Sequence, residues 1–267
     1  MLRLRSSLVL LFVGLFLGPL TTSATAQSAA SVVDEMRAQY KKQTETVDTY
    51  IVETNLYTSY NKKVMKNGEP TYETKTEMKG QGSNSVASTR TPSAAYGLQF
   101  DRMEKHTTYV GTETVNGVRC HVLKVDEPSA VNPDMKGSDA ENMIYYVHAD
   151  KYVPVRMVLE QKKQNGRRGP QASSVTINMK NYKTTDGLTL PHRMEFQVDM
   201  NMSEQQRKQM QQMMQKMENM PEQQRKQMQQ MMGEGQMEMM KQMMSGEPII
   251  VDVQSVKVNV DLPEGMF

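Results

Sequence analysis

The sequence predicts an α+β protein that consists of one long antiparallel sheet, a helix at its N-terminal end and a helical insertion rich in methionine. Two observations predict the sheet: apolar and polar residues alternate over most of the chain, and Asn-Gly or Asp-Gly pairs separate the alternating segments. The third observation is the uneven distribution of methionine, because 13 of the 26 lie between Ser203 and Ser245. The length of 267 residues is ample for one domain with a substantial core.

The first 26 residues show the order of features typical of a secretory signal peptide. Arg3 and Arg5 precede an apolar run over Leu8–Leu17, and Ala24-Thr25-Ala26 forms an A-x-A cleavage site. The apolar run is shorter than the roughly 20 residues that a membrane-spanning helix needs. No cysteine lies directly after this run, which excludes a bacterial lipoprotein anchor. We therefore expect cleavage near Ala26 and an exported, soluble mature domain over residues 27–267.

Charge and cysteine content exclude several classes of function. The chain carries 32 Lys and Arg against 30 Asp and Glu, and removal of Arg3 and Arg5 with the signal peptide leaves 30 of each. Since each phosphate contact of a nucleic-acid binder needs a basic side chain, we expect no nucleic-acid partner. The single cysteine, Cys120, excludes a disulfide framework and any zinc or iron–sulfur site with several cysteines.

Helical and strand periodicities divide the first part of the mature chain. A helix is predicted over Ser31–Thr46 because apolar residues recur at helical spacing; they are Val32, Val33, Met36 and Tyr40. Over Tyr50–Tyr60 and again over Tyr72–Met78 the period changes to two, which predicts strands. Gly80–Ala95 and Pro128–Asn142 are predicted loops.

Four dipeptides supply the positive φ angles that tight hairpin turns require: Asn67-Gly68, Asn116-Gly117, Asn165-Gly166 and Asp186-Gly187. They flank or join the following predicted strands: Thr108–Val115, Val118–Val125, Val153–Gln164, Ala172–Tyr182 and Thr189–Met200. A last strand is predicted from Ile249 to Leu262, with a bulge near Ser255. The result is an antiparallel meander with one apolar and one solvated face.

Residues 203–245 interrupt the strand pattern and are predicted to be helical. The twelve residues Ser203–Met214 recur as Pro221–Met232 with only the first one changed. A stripe of methionines lies on one helical face; it consists of Met210, Met213, Met214 and Met217. Pro221 is a favourable first residue for a second helix, so we expect a kinked helix or a helical hairpin in preference to one rod.

Motifs of catalysis are absent from the sequence. It contains no G-x-S-x-G nucleophile elbow, no H-E-x-x-H zinc motif and no P-loop. The four histidines, His106, His121, His148 and His192, are isolated along the chain, and we interpret them as structural or surface residues. Cys120 lies in the middle of a predicted strand and is interpreted as a buried, unreactive thiol. We therefore expect no enzymatic activity, no cofactor and no metal site.

The methionine stripe allows three interpretations. It is a face that packs on other apolar residues, or an adaptable lid over acyl chains or apolar peptides, since unbranched thioether side chains repack around varied guests. The third is a Cu(I) site that uses Met-x-x-Met spacings or Met237-Glu238-Met239. The basic segment Lys162–Arg168 is interpreted as an exposed hairpin tip, with transient contact to anionic lipid headgroups as the alternative.

Several short motifs in the mature sequence belong together. In Tyr145–Arg156 an Asp-containing turn leads to a Pro-Val-Arg strand, and in Asn181–Arg193 an Asp-Gly turn precedes a Leu-Pro strand. The hairpin Gly111–Val125 precedes them, and Val256–Asn259 with Phe267 forms a final strand and tail. This series of units resembles the LolA-type carriers, the periplasmic outer-membrane lipoprotein-sorting proteins.

The resemblance implies a sheet curved into an open half-barrel, with helices as a lid over its apolar concave face. It also implies a periplasmic protein that carries lipid or lipoprotein acyl chains toward the outer membrane, between membrane-associated donor and acceptor proteins. We expect a monomer whose acyl-chain contacts lie on the apolar face of the sheet and on the insertion. The expected contact residues are Val155, Met157, Leu159, Ile177, Met194, Phe196, Met210, Met213, Met214 and Met217.

Two other classes of function remain open at this point. The first is an exported copper-binding protein that uses the sheet as a scaffold for a methionine-rich segment. The second is a binding module whose methionine helices dock a protein partner through their apolar face.

Overall fold

A computed structural model describes residues 27–66, 69–79, 99–162, 171–201 and 246–267, together with scattered positions between 204 and 245. The predicted signal peptide, the predicted loop Gly80–Ala95 and the dipeptides Asn67-Gly68 and Asn165-Gly166 lie outside the described residues. The division into a signal peptide, a mature domain and an insertion therefore stays a prediction.

Outside the insertion, the described ranges form one antiparallel sheet and three α-helices. The strands are β1 (Thr49–Thr54), β2 (Tyr57–Lys66), β3 (Glu69–Met78), β4 (Thr108–Val115), β5 (Val118–Val125), β6 (Ala140–His148), β7 (Pro154–Gln161), β8 (Gln171–Thr185), β9 (Leu188–Asn201) and β10 (Ile249–Val258). The helices are α1 (Ala29–Thr46), α2 (Phe100–His106) and α3 (Pro128–Val131). The strand order is β3-β2-β1-β10-β9-β8-β7-β6-β5-β4, and the sheet is curved and unclosed, with β3 and β4 at its edges. The predicted fold class is confirmed.

Helix α1 begins two residues before the predicted start because Ser28 caps it. The Ser28 hydroxyl accepts a hydrogen bond from the Ser31 amide, and the Ser31 hydroxyl accepts one from the Ser28 amide, which is a reciprocal capping box. The helix buries Val32, Val33 and Met36 against the sheet. Its predicted C-terminal residue, Thr46, is the observed one.

Two of the predicted hairpin turns lie in the described chain and are confirmed. Asn116 and Gly117 have φ angles of 52° and 79°, and Asp186 and Gly187 have φ angles of 46° and 85°. Positive φ at both central residues matches the twist of antiparallel strands. The predicted bulge also occurs in β10, where Ser255 pairs with Glu53 but Val253 pairs with Thr54.

The prediction of one strand over Tyr50–Tyr60 is wrong, because the chain turns at Asn55 and Leu56 between β1 and β2. The Thr54 hydroxyl accepts from the amides of Leu56 and Tyr57 and donates to the Tyr57 carbonyl. The Asn55 side chain donates to the Ile250 carbonyl and accepts from the Asp252 amide. Side-chain hydrogen bonds thus make a turn that lacks glycine and proline, and the period-two alternation continues through it.

The prediction of an irregular loop over Pro128–Asn142 is also wrong in part. The segment contains α3 and a 3₁₀ turn over Pro133–Met135, and β6 already begins at Ala140. Helix α2 was not predicted at all. Both helices are too short for a clear helical period, and they form because Phe100, Met103 and Val131 are buried in the core.

The last strand, β10, lies between β1 and β9 and so connects the first three strands with the rest of the sheet. The chain between β9 and β10 is the predicted insertion, so its two ends lie on neighbouring strands. The described positions 204, 205, 208, 209, 212 and 215 are helical, whereas Asn219 and Met220 are not, and the Asn219 amide donates to the Gln215 carbonyl at 3.0 Å. These non-helical residues just before Pro221 agree with the expected break.

Across the ranges described, no helix has the length and apolar content that crossing a membrane requires.

Candidate functional site

An apolar row crosses seven neighbouring strands on one face of the sheet. The strand register pairs its members in the order Tyr109, Leu123, Tyr145, Met157, Ile177, Phe196 and Ile249. A second row lies two residues along each strand, and therefore on the same face; it consists of Val125, Met143, Leu159, Val175 and Val198. The alternation that the sequence predicted therefore places these residues in one continuous apolar surface.

The three helices cover this surface over one part of the sheet. Residues of α1, α2 and α3 form one buried cluster with β5 and β6, in which Leu123 and Val125 have no exposed surface. Arg37 on α1 donates to Asp101 at 3.0 Å and to Glu104 at 3.2 Å on α2, which ties the two helices together. Over β5 and β6 the apolar face is therefore a packed core.

Toward β9 the same rows are only partly covered. The partly covered members form what we name the β7–β9 patch: Leu159, Val175, Met194, Phe196 and Val198. Four of them pack against the edge of the main cluster, and Val198 is paired with Val175. The patch also borders the insertion, because Val198 lies three residues before the end of β9 and Phe196 pairs with Ile249 at the start of β10.

The structure brings five of the six predicted sheet residues onto one face. Leu159, Met194 and Phe196 belong to the β7–β9 patch. Met157 and Ile177 keep only 8% and 3% of their surface exposed and are packed in the same cluster as α1. A ligand would reach these two only if residues of this cluster moved. The predicted lid residues Met210, Met213, Met214 and Met217 lie outside the described residues.

Val155 lies in a different cluster from the other predicted contacts. The register between β6 and β7 shifts, so that Tyr146 pairs with Arg156 but Val147 pairs with Pro154, and Val155 is the extra residue. It packs with Val115 and Cys120, next to Tyr146. Simple alternation would place Val155 on the same face as Met157 and Leu159. The bulge changes the direction of its side chain.

His192 is a residue of this face that sequence reasoning treated as an ordinary structural or surface histidine. By strand alternation it shares a face of β9 with Leu190 and Met194. Met194 packs on the main cluster, and Leu190 belongs to a second apolar cluster, which consists of Val47, Tyr50, Val52, Tyr72, Leu188 and Leu190. The Nε2 atom of His192 is buried and has no hydrogen-bond partner. Burial, and secondarily the charge of Lys183, lower its pKa, so the imidazole is neutral at pH 7. A histidine among the apolar positions of Thr189–Met200 was the signal in the sequence.

The face changes character on β1–β3, where the buried side chains are largely polar. Thr54, Ser59, Asn61 and Thr76 are all less than 9% exposed. The Asn61 amide donates to the Tyr50 carbonyl and the Ser59 hydroxyl, and its oxygen accepts from Thr74. Asn61, Ser59 and Thr74 thus form a hydrogen-bonded network, which is the usual state of buried polar groups in a packed core.

Charged residues occupy the opposite face of β8–β10. Lys180 donates to Glu195 at 2.7 Å, and Arg193 donates to Glu195 at 3.0 Å and to Asp252 at 3.4 Å. Hydrogen bonding to Lys180, then to Arg193, lowers the pKa of Glu195. This face is solvated, as the alternation predicted.

Groups suited to chemistry are scattered in the described chain. Cys120 is fully buried, and burial raises the pKa of its thiol, which agrees with the predicted unreactive residue. His121 is buried beside Tyr109 and stacks on Tyr152, and the Nδ1 atom of His148 accepts from the amides of Asp150 and Lys151. Within the described ranges, no three His, Cys, Asp or Glu residues are arranged to hold a metal ion.

A cavity of about 400 Å³ lies away from the apolar rows, between β1, β2 and the tail. Its lining mixes charged and apolar side chains, including Asp48, Lys62, Asp261 and Phe267. The Lys62 and Lys75 ammonium groups lie 5.9 and 5.2 Å from the Phe267 ring centre. The cavity is open, and its lining does not suit an acyl chain.

Several solved structures are similar to this chain. A DUF1329 family protein from Desulfovibrio piger is 11% identical with a TM-score of 0.43, over 88% of this chain and 95% of its own. A putative outer membrane lipoprotein-sorting protein domain from Vibrio parahaemolyticus is 10% identical with a TM-score of 0.45, over 88% and 94%. A LolA superfamily protein from Nitrosomonas europaea is 12% identical with a TM-score of 0.39, over 89% and 96%.

The chain is similar in structure to LolA-superfamily proteins. No protein-family model matches the sequence, and no curated protein matches it. At such identities and TM-scores the likeness carries no conclusion about function or about a ligand.

Proposed function

We propose that this protein is an exported, non-enzymatic carrier that binds the acyl chains of lipids or lipoproteins and works in the periplasm. The observation that carries the proposal is the β7–β9 patch, where an apolar face that is packed over β5 and β6 becomes only partly covered. Apolar residues that stay partly exposed in this way on an otherwise packed face are typical of ligand-binding grooves. The signal-peptide pattern supports export.

The energetics of such a surface suit a carrier. Each buried methylene contributes about 0.8 kcal/mol, so ten methylenes contribute about 8 kcal/mol. Association itself costs at least about 4 kcal/mol. The remaining free energy corresponds to reversible binding, which allows an acyl chain to pass from a membrane-associated donor to an acceptor.

The methionine stripe of the insertion is the proposed lid. Both ends of the insertion lie on β9 and β10, beside the β7–β9 patch. The helical positions that the structure describes at 204, 205, 208, 209, 212 and 215 are polar and exposed. The helical spacing of the methionines in the sequence supports a separate apolar stripe. Methionine side chains adapt to varied chain shapes.

The proposal is tested by titrating the mature protein, residues 27–267, with a fluorescent acyl probe. Phe196→Glu places a charge in the β7–β9 patch, and we expect it to weaken binding by about 10-fold or more. The control is Thr176→Glu, because Thr176 lies between Val175 and Ile177 and so faces the other side of the sheet. Equal affinities for the two variants would refute the proposed binding face.

The lid is tested separately by changing Met213, Met214 and Met217 together to Gln. We expect weaker probe binding with an unchanged sheet, measured by circular dichroism. The matched control changes Gln205, Gln209 and Gln212, which are exposed, to Ser. Unchanged affinity in the methionine variant would remove the lid role and leave the sheet as the carrier's binding surface.

A further inference from the structure

His192 leaves a buried polar atom without a partner on the face that we propose binds acyl chains. Its Nε2 atom is buried and makes no hydrogen bond. A buried polar group without a partner costs about 1–3 kcal/mol, so such a group needs an explanation. Histidine is also a poor choice for packing alone, since leucine would fill similar space at no such cost.

The position of His192 places this atom beside the β7–β9 patch. Met194, its neighbour on the same face, belongs to the patch, and Leu190 on the other side belongs to the second apolar cluster. The pairing of β9 with β10 ends at Arg193 and Asp252, and Val253, the next residue of β10, packs on that second cluster. His192 is thus a polar group with apolar neighbours along β9, next to the end of the β9–β10 pairing.

The other buried polar atoms without partners lie elsewhere in the described chain. They are Arg37 Nε on α1, Thr107 Oγ1 before β4, Asn142 Oδ1 on β6 and Ser255 Oγ opposite Glu53. Asn142 adjoins the core residue Met143 and faces away from it, and its amide already donates to Glu160. Of the atoms that lack a partner, His192 Nε2 alone adjoins the patch among the residues described.

We propose that His192 Nε2 binds the acyl oxygen of the carried amphiphile, either an ester carbonyl or a carboxylate, while the alkyl chain lies on the β7–β9 patch. This rests on the proposed function and adds to it the position of the polar end of the acyl group. A neutral imidazole offers one N–H donor, which an acyl oxygen accepts. The positive charge of nearby Lys183 would favour a carboxylate in addition.

The test compares ligands that share an alkyl chain but differ in the acyl oxygen. The mature protein is loaded with N-phenyl-1-naphthylamine, an apolar fluorophore without an acyl oxygen, and the probe is displaced with dodecanoate or with 1-dodecanoylglycerol. His192→Leu removes the donor at similar volume, and His192→Gln keeps a donor. We expect about 10-fold weaker displacement by either ligand in His192→Leu, with partial recovery in His192→Gln and unchanged affinity for the fluorophore.

The two ligands distinguish the sources of the acyl oxygen. A loss confined to dodecanoate identifies a carboxylate, and an equal loss for both identifies a carbonyl common to esters and acids. A purely structural role for His192 predicts a lower free energy of unfolding for His192→Leu, whereas we expect the free protein to be equally or more stable because the unsatisfied atom is gone.

Two results would overturn the inference. The first is unchanged displacement by both acyl ligands in His192→Leu. The second is an equal loss of fluorophore and acyl binding, which indicates local repacking instead of a hydrogen bond. If the wild-type protein binds neither the fluorophore nor the acyl ligands, the proposed function itself fails, and this outcome is distinct because it appears before any substitution is made.

Discussion

The hydroxyl of Tyr182 on β8 donates a hydrogen bond of 2.5 Å to the backbone carbonyl of Pro154 on the neighbouring strand β7. The same hydroxyl lies 3.7 Å from the sulfur of Met179, and burial raises the pKa of Tyr182. The bond satisfies a carbonyl at the first residue of β7, next to the bulge that holds Val155. A side chain thus ties β8 to β7 next to the point where the register between β6 and β7 shifts.

Replacing Tyr182 by Phe tests this contact. The change leaves the Pro154 carbonyl without its partner in a buried environment, so we expect a loss of about 1–3 kcal/mol in the free energy of unfolding, measured by urea denaturation. The control is Tyr146→Phe, because the Tyr146 ring faces Arg156 and its hydroxyl has no hydrogen bond to a described residue. A loss below 0.5 kcal/mol for Tyr182→Phe (roughly the lower limit for a hydrogen bond) would contradict the assignment.

Gly187 combines a positive φ with a close approach to α1. Its φ is 85°, and a Cβ added there would lie 2.8 Å from the Thr46 Oγ1 atom, whereas Gly117 has φ 79° and open space around it. We expect Gly117→Ala to cost about 1 kcal/mol from backbone strain alone and Gly187→Ala to cost about 1 kcal/mol more. Thermal unfolding of both variants measures the difference. If Thr46→Ala in the Gly187→Ala background does not restore part of the loss, the contact with α1 is not its cause.

Asn259 anchors the residue after β10 to the end of α1. Its φ is 52°, its side chain accepts from the Asp48 amide at 2.7 Å, and it donates to the Thr46 carbonyl at 2.8 Å. Asn259→Gly keeps the backbone conformation but loses both bonds, so we expect a loss of about 1–2 kcal/mol. Asn259→Ala adds backbone strain and should cost about 1 kcal/mol more. Equal stability of the two variants in urea would argue against that strain.

The pH dependence of stability reports on Glu195. Lys180 and Arg193 lower its pKa in the folded protein below the unfolded value. The contribution of Glu195 to the free energy of unfolding is therefore fully present above its pKa in the unfolded protein. It is lost as the pH falls through its pKa in the folded protein. We expect Glu195→Gln to be less stable than wild type by about 1 kcal/mol at pH 7 and equally stable in acid. The free energy of unfolding of both proteins is measured in urea down to about pH 2, which is roughly below both pKa values. A difference between wild type and Glu195→Gln that stays constant over this range would contradict the predicted loss in acid.

The elements that the sequence predicted correctly are those with long patterns or with turns that need a special residue. Helix α1, the hairpins at Asn116-Gly117 and Asp186-Gly187, and the bulge near Ser255 follow from the periodicity of apolar residues and from the positive φ of Asn, Asp and Gly. The turn at Asn55 was missed because its specificity lies in side-chain bonds to β10, almost 200 residues away.

In the candidate site, too, local patterns predicted some features and contacts between distant residues decided the others. Alternation alone placed Leu159, Met157, Ile177, Met194 and Phe196 on one face, because strand side chains alternate whatever the strand pairs with. It could not separate Met157 and Ile177, which are buried in the main cluster, from the partly covered residues of the patch, and it could not foresee the bulge that moves Val155. Coverage and bulges depend on which strands and helices meet.

The sequence by itself determined the fold class, the apolar face and the breaks between elements, because these depend on local periodicity and backbone preference. Only the tertiary structure decided the position of β10 between β1 and β9, the part of the apolar face that stays partly covered, and the unpaired Nε2 atom of His192. These features arise from contacts between residues far apart in the chain, whose free energy no local pattern contains.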